Sequence, residues 1–267
     1  MFRQALAGRA RGELLEPEER RHFHDEGFLA IDRAVLSPDE VAEARAVVDA
    51  LIARRAELPR GVVRDLGRGG DGDSIVEVNW ATEVEPALRR TAALPRLRAL
   101  ASEVLGVPVT LAFDHVIEKG AGNRSATPWH QDSHFSPVVH NAAHLWMPLD
   151  DVGPQDSCMQ FVPRSHLVKL AHRPRGGDPA AQAMEAIDVD ARGAVACPVR
   201  AGGLTVHHPS TLHYTGPNDG DRRRVAWILQ FREKGLWRFR RSALNPMRGV
   251  QARARYQARF DQQRPPA

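Results

Sequence analysis

The sequence predicts an α+β chain with a mainly β core, a jelly-roll barrel of short strands with helices packed outside it. Two textures predict this. Up to Gly106 apolar residues recur at helical spacing, and beyond it five short β-prone segments follow one another between Gly, Pro, Asp and Asn turns. Several short strands in a row after helices fit a sandwich or jelly roll. A chain of 267 residues can bury a substantial core and is expected to form one domain. Residues 1–106 are expected as a mostly helical buttress, 107–233 as the jelly-roll core and 234–267 as a basic C-terminal segment.

The helical part is anchored by residues 37–57, "SPDEVAEARAVVDALIARRAE". Ser37 caps the helix, Pro38 suits its first turn and Glu40 completes a capping box. Val41, Ala44, Val48, Leu51 and Ile52 then share one face. A second helix ends in "LPRLRALASEVLG", with Gly106 as its stop. Between the two, "RDLGRGGDGDS" (64–74) is too rich in Gly and Asp for regular structure and is expected to be a mobile loop. The strands are expected in 107–119, 144–152, 157–163, 202–210 and 223–233. Residues 171–192 interrupt that rhythm and are expected to form an excursion or loop.

Composition excludes several function classes. No apolar run is long enough for a transmembrane helix, so no membrane partner is expected. The opening "MFRQALAGRAR" is basic but lacks the apolar stretch of a secretory signal, and reads as a ragged terminus. Cys158 and Cys197 are the only cysteines. They imply a reducing compartment, hence a cytoplasmic location, and no disulfide framework. The net charge of +4 is unevenly placed: Arg232 to Ala267 holds ten basic residues against two acids, a net of +8, so residues 1–231 carry −4. Arg outnumbers Lys 34 to 3, a composition bias, and no nucleic-acid-reading motif accompanies the basic tail. Nucleic acid is therefore not an expected partner.

The chemistry centres on "TPWHQDSHF" (127–135). In extended chain, residues i and i+2 point the same way, so His130 and Asp132 can act together. Two histidines and one carboxylate on one face of an octahedron hold iron(II) and leave positions open for cosubstrate and oxygen. A distant strand must supply the other imidazole, and His134, His140, His144, His166, His172, His207, His208 and His213 are available. His213 has the best context, because Arg224 follows eleven residues later, across a Gly-Pro-Asn-Asp-Gly turn at the start of a strong strand. An arginine fork in the same cavity could hold a carboxylate with two hydrogen bonds. Arg222 is a rival for that role, and Arg223 reads as part of a solvated turn.

In order along the chain, "FHDEGFLAIDRAVLSPDEVAEARAVVDAL", "TPWHQD" (127–132), "GPQDSCMQFVPRSH" (153–166) and "HYTGPN…R" (213–224) resemble the phytanoyl-CoA dioxygenase family of iron(II)/2-oxoglutarate oxygenases. Agreement runs from about Phe23 to Phe231. The resemblance implies a double-stranded β-helix, the cupin-like jelly roll, in which His130, Asp132 and His213 bind iron. It implies that Arg224 pairs with the distal carboxylate of 2-oxoglutarate, helped by the Thr215 hydroxyl, and that Gln131 and Trp146 line the cosubstrate pocket. Arg164 departs from the family, which usually has Gly there. Asp132 matters more, because halogenating relatives replace it with a small residue. The implied reaction is O2-dependent hydroxylation of a small-molecule metabolite or natural-product intermediate, with 2-oxoglutarate leaving as succinate and CO2. Desaturation, ring closure and epimerisation use the same kind of site. His134, His140, Arg124 and the 64–80 segment with Asn79 and Trp80 are candidate substrate contacts. A non-oxidative cupin-like metalloenzyme would have no use for Arg224, and a catalytically silent relative would not keep all three ligands.

Overall fold

The structure, a computed structural model, describes residues 13–67, 73–135 and 141–234. The expected "MFRQALAGRAR" terminus and the basic segment from 235 onward lie outside the described residues.

The chain begins with α1 (Pro17–Glu26), which ends at Gly27, and continues directly into β1 (Phe28–Ile31). Gly27 has φ +85°, and a Cβ there would stand 2.4 Å from the His166 ring and 2.7 Å from the Thr211 hydroxyl. Only glycine fits that turn. Helix α2 (Pro38–Ala53) starts as the sequence predicts: the Ser37 hydroxyl accepts from Glu40 N–H, and the Glu40 carboxylate accepts from Ser37 N–H. Its buried residues are the five predicted ones, and a 3-10 turn at Arg55–Glu57 closes the segment. After β2 (Val63–Asp65), β3 (Ile75–Asn79) and the single turn α3 (Ala81–Val84), α4 (Ala93–Leu105) stops at Gly106, whose φ is +67°.

The strands that follow are β4 (Val109–Lys119), β5 (Thr127–His130), β6 (Ala142–Pro148), β7 (Met159–Phe161), β8 (His172–Pro174), β9 (Met184–Ala186), β10 (Val195–Cys197), β11 (Leu204–His207), β12 (His213–Thr215) and β13 (Arg224–Glu233). They form a mainly antiparallel β architecture. A seven-stranded sheet has the order β1-β11-β6-β13-β4-β3-β2, a four-stranded sheet the order β10-β7-β12-β5, and β8 and β9 pair alone. The 171–192 excursion is thus a small hairpin.

Two expectations need correction. The 64–74 segment is not all loop: its flanks belong to β2 and β3, and residues 68–72 lie outside the described residues. The Asp65 side chain accepts from the N–H groups of Gly67 and Ile75, so a residue read as a breaker closes the hairpin. Nor is 1–106 only a helical buttress. It supplies β1, β2 and β3 to the two edges of the large sheet, because chain order differs from spatial order.

Period-2 alternation then decides which side chains reach the site. Val116, Leu145, Met147, Val206, Val225, Trp227 and Leu229 face outward and pack with Val48, Leu51, Leu97 and Leu100 of the helices. Each large side chain so buried contributes roughly 1.5–3 kcal/mol. Trp227 is fully buried, and its indole N–H donates to Asp114 at 3.0 Å. The opposite face of the large sheet meets the small sheet through Phe28, Trp146, Met159, Phe161, Cys197 and Ile228. Both cysteines are buried and unpaired, in keeping with a core role. Among the described residues no helix is long and apolar enough to cross a membrane.

Candidate active site

Strands β5 and β12 are neighbours in the small sheet, and their register sets His130 against His213, with ring centroids 4.1 Å apart. Each Nδ1 donates to a backbone carbonyl two residues back, His130 to Pro128 and His213 to Thr211, both at 2.8 Å. A carbonyl only accepts, so these bonds fix the tautomer and leave each Nε2 as the free ligand atom. Asp132 sits in the 3-10 turn Asp132–His134 and directs its carboxylate back between them. Its oxygens lie 3.5 Å from His130 Nε2 and 3.8 Å from His213 Nε2. The three ligand atoms all fall within 4.8 Å of one another.

The large sheet adds two more imidazoles. His144 on β6 and His207 on β11 are cross-strand partners, and both face Asp132. His144 Nδ1 donates to Asp132 Oδ2 at 2.7 Å, and His207 Nε2 stands 3.3 Å from the same oxygen. Asp132, His144 and His207 therefore also satisfy metal-ligand spacing, sharing Asp132 with the first set. The remaining candidates lie apart: His208 accepts from Ser210 N–H beside His166, and His134 stacks on His172 at 4.6 Å. His140 is outside the described residues.

Two of the three donors are in the state a divalent metal requires, while at His130 burial is outweighed by the Asp132 hydrogen bond and charge, which raise the imidazole above its ordinary value. Burial and the neighbouring His130 push His213 well below the ordinary histidine range, and burial takes His207 down to about 4. Burial would raise the Asp132 carboxyl, but His213 and hydrogen bonds from three more imidazoles hold it well below the usual carboxylate range.

Arg224 opens β13 directly opposite Lys119, the last residue of β4, so two cations stand side by side on the inner face. Both are buried. Arg224 Nη2 donates to Ser157 Oγ at 3.0 Å, the guanidinium lies 5.4 Å from the Trp146 ring, and Nε has no partner. No carboxylate pairs with it among the described residues, and burial takes it down to about 10. Lys119 donates to Ser157 Oγ and Thr215 Oγ1, each at 3.0 Å, and to two carbonyls. Burial, reinforced by Arg224, pushes it well below the ordinary lysine range. With Lys119 donating to it, the Thr215 hydroxyl keeps its own proton to give. A buried guanidinium with no carboxylate of its own, beside a hydroxyl with a proton to give, fits an incoming carboxylate.

One cavity of about 420 Å³ joins these parts, running from Arg224, Thr215 and Trp146 past the ligand set to Asn79 and Trp80. Gln131 is not part of its wall. Its amide nitrogen donates to the carbonyls of Val168 and Ser210, and its oxygen accepts from Leu170 N–H, tying the 165–170 loop down behind the ligands. Arg222 is exposed, and Arg223 pairs with Asp49 and Glu118. Arg124 is also exposed and pairs with Asp73. Arg164 adopts φ +62°, so it keeps the left-handed turn that glycine would make.

The family model for phytanoyl-CoA dioxygenase (PhyH) matches residues 23–226. The chain belongs to the phytanoyl-CoA dioxygenase family. The rat phytanoyl-CoA dioxygenase domain-containing protein 1 is 22% identical over 264 residues, spanning 82% of this chain and 90% of that protein. Among solved structures, EvdO2 from Micromonospora carbonacea var. aurantiaca, complexed with 2-oxoglutarate, is 25% identical with a TM-score of 0.68, covering 83% of this chain and 92% of that one. SnoN, a non-heme alpha ketoglutarate dependent epimerase from nogalamycin biosynthesis, is 27% identical with a TM-score of 0.65, covering 81% and 82%. SnoN has also been solved with Fe3+, alpha ketoglutarate and nogalamycin RO. Enzymes of the phytanoyl-CoA dioxygenase family use Fe(II), 2-oxoglutarate and O2.

In this family member three side chains from the stretch read as a loop and its neighbour strand also enter the cavity. Arg64 on β2, Glu77 on β3 and His115 on β4 form a chain, with Glu77 3.2 Å from Arg64 and 2.7 Å from His115 Nδ1. Burial would raise the Glu77 carboxyl, but Arg64 and the His115 bond bring it from 4.5 down to about 2. A depressed carboxyl stabilises the fold above its unfolded value, and that stabilisation is lost as pH falls from about 4.5 towards 2. The shift corresponds to roughly 3 kcal/mol. Glu77→Leu is therefore expected to lose about 3 kcal/mol in urea unfolding at pH 7, since it removes the carboxylate that pairs with Arg64 and His115. The deficit should shrink by pH 3, and equal stability at pH 7 would contradict the pairing.

Proposed function

We propose that the protein is an Fe(II)- and 2-oxoglutarate-dependent dioxygenase that hydroxylates a small-molecule metabolite or natural-product intermediate. The observation that supports it most is the presence, in one cavity, of the His130–Asp132–His213 set and a buried Arg224 with no carboxylate of its own. A metal site alone would serve a hydrolase or isomerase equally well. A buried guanidinium without an anion makes sense when the anion arrives with a ligand.

His130, Asp132 and His213 are the residues that would hold iron(II). Arg224 takes the distal carboxylate of 2-oxoglutarate, with Thr215 donating to it and Lys119 holding the Thr215 hydroxyl from behind. Trp146 packs against the Arg224 guanidinium and limits where it can swing. When bound, iron and 2-oxoglutarate supply oxygen activation, with succinate and CO2 as the co-products of substrate oxidation. His144 holds one oxygen of Asp132 and so fixes the carboxylate's angle. A carboxylate at Asp132, where halogenating relatives of the family have a small residue, favours oxygen transfer over halogenation. Met159, Ile117 and Ile228 give the cavity an apolar wall that keeps water out. We read the two facing sheets as a double-stranded β-helix in one domain, acting on soluble small molecules in the cytoplasm.

Protein supplied with Fe(II), 2-oxoglutarate and air is expected to release succinate slowly even without substrate, and the release should stop when iron is chelated. Succinate no higher than in the chelated control would contradict this function.

A further inference from the structure

Beyond the ligand set the cavity holds a polar centre that oxygen activation does not require. Arg64 lies opposite Glu77 in the β2–β3 ladder, and Glu77 reaches across to His115. Glu77 is an ionised carboxylate and can only accept, so His115 Nδ1 carries the proton of that 2.7 Å bond. Its Nε2 has no hydrogen-bond partner among the described residues. Gln230, cross-strand from Phe113 and in the same wall, has an amide that also bonds nothing among them.

The surface around these two groups is aromatic. Trp80 and Phe113 meet edge to face at 4.7 Å, and Phe113 lies 5.2 Å from the His115 ring. Trp80 is held there with φ +58°, a backbone conformation costly for a bulky side chain and one that tends to persist where it serves a site. An apolar acyl chain seated here would desolvate His115 Nε2 and the Gln230 amide and satisfy neither. A ring carrying hydroxyls would satisfy both and still present apolar C–H faces to the aromatic wall.

We propose that His115 is a specificity-determining residue whose Nε2 forms a hydrogen bond with a hydroxyl of a glycoside-like substrate. The sugar or carbocyclic ring lies against Trp80 and Phe113, and Glu77 is the positioning residue that fixes the imidazole. The proposal rests on the oxygenase function for the reacting end of the cavity only.

The probe is phenyl β-D-glucopyranoside, titrated by calorimetry under nitrogen into full-length protein carrying Fe(II) and 2-oxoglutarate. Cyclohexyl phenyl ether, of similar shape without hydroxyls, is the comparison. The glucoside is expected to bind at least tenfold more tightly than the ether. His115→Leu should remove at least tenfold of glucoside affinity and none of the ether's, and His115→Gln, which keeps a hydrogen-bonding group, should lose less. Visible absorption of the iron–2-oxoglutarate complex, unchanged in both variants, shows that neither is misfolded. Failure of the wild type to bind the glucoside, equal binding by His115→Leu, or an ether as tight as the glucoside would each overturn the proposal. Absence of the visible band with His115-dependent glucoside binding intact would instead overturn the oxygenase function and leave this site standing.

Discussion

Arg224→Leu is expected to weaken 2-oxoglutarate binding by roughly 30-fold to a few thousand-fold, the range for truncating one partner of a buried, hydrogen-bonded charge pair. The geometry explains the size. Arg224 is 2% exposed, touches Ser157 with one nitrogen and keeps Nε without a partner, so an incoming carboxylate finds donors to meet. Arg224→Lys should recover a minor part, because an ammonium restores charge without the planar fork. Stability should respond differently. Removing an unpaired buried cation relieves a desolvation cost, so unfolding of the ligand-free Arg224→Leu protein should be no easier than wild type. Affinity within threefold of wild type, measured by calorimetry, would show that the carboxylate docks elsewhere.

His213→Ala is expected to abolish stoichiometric Fe(II) binding, measured by anaerobic equilibrium dialysis. In the proposed site three ligands would hold the metal, and the bond from His213 Nδ1 to the Thr211 carbonyl turns Nε2 towards Asp132 and His130. His144→Ala acts through Asp132 and should fall in the milder 10–100-fold range that outer-layer changes produce. His208→Ala, beside His166 and away from the ligand set, should change nothing. The competing arrangement has a distinct signature: if His207→Ala lost the metal and His213→Ala kept it, the ion would belong to Asp132, His144 and His207.

The candidate ligand set was legible in the sequence because its signal is local and polar. An i, i+2 His-Asp pair on extended chain and a His-to-Arg gap bridged by a turn are legible without knowing which strands pair. The α2 cap and the Gly106 stop are legible for the same reason. Gln131 shows the limit of reading by proximity. It lies between two ligands, but the alternation that sends His130 and Asp132 one way sends Gln131 the other, into the 165–170 loop. Lys119 was missed because its importance lies in register: nothing in "VIEKG" says that it will stand opposite Arg224. A lysine in a chain with 34 arginines and 3 lysines was the one compositional hint. The Glu77–His115 contact was hidden for a further reason. Glycines and aspartates at 64–74 read as loop, and the hairpin that carries Arg64 and Glu77 is closed by the Asp65 side chain, which a propensity reading counts as a breaker.

The most direct test is an anaerobic titration of metal-free protein with Fe(II) and then 2-oxoglutarate, followed by visible absorption. The account predicts a weak charge-transfer band of chelated 2-oxoglutarate that saturates at one equivalent, vanishes in His213→Ala and needs far more 2-oxoglutarate in Arg224→Leu. Folded, iron-loaded protein that shows no band at any 2-oxoglutarate concentration would contradict it.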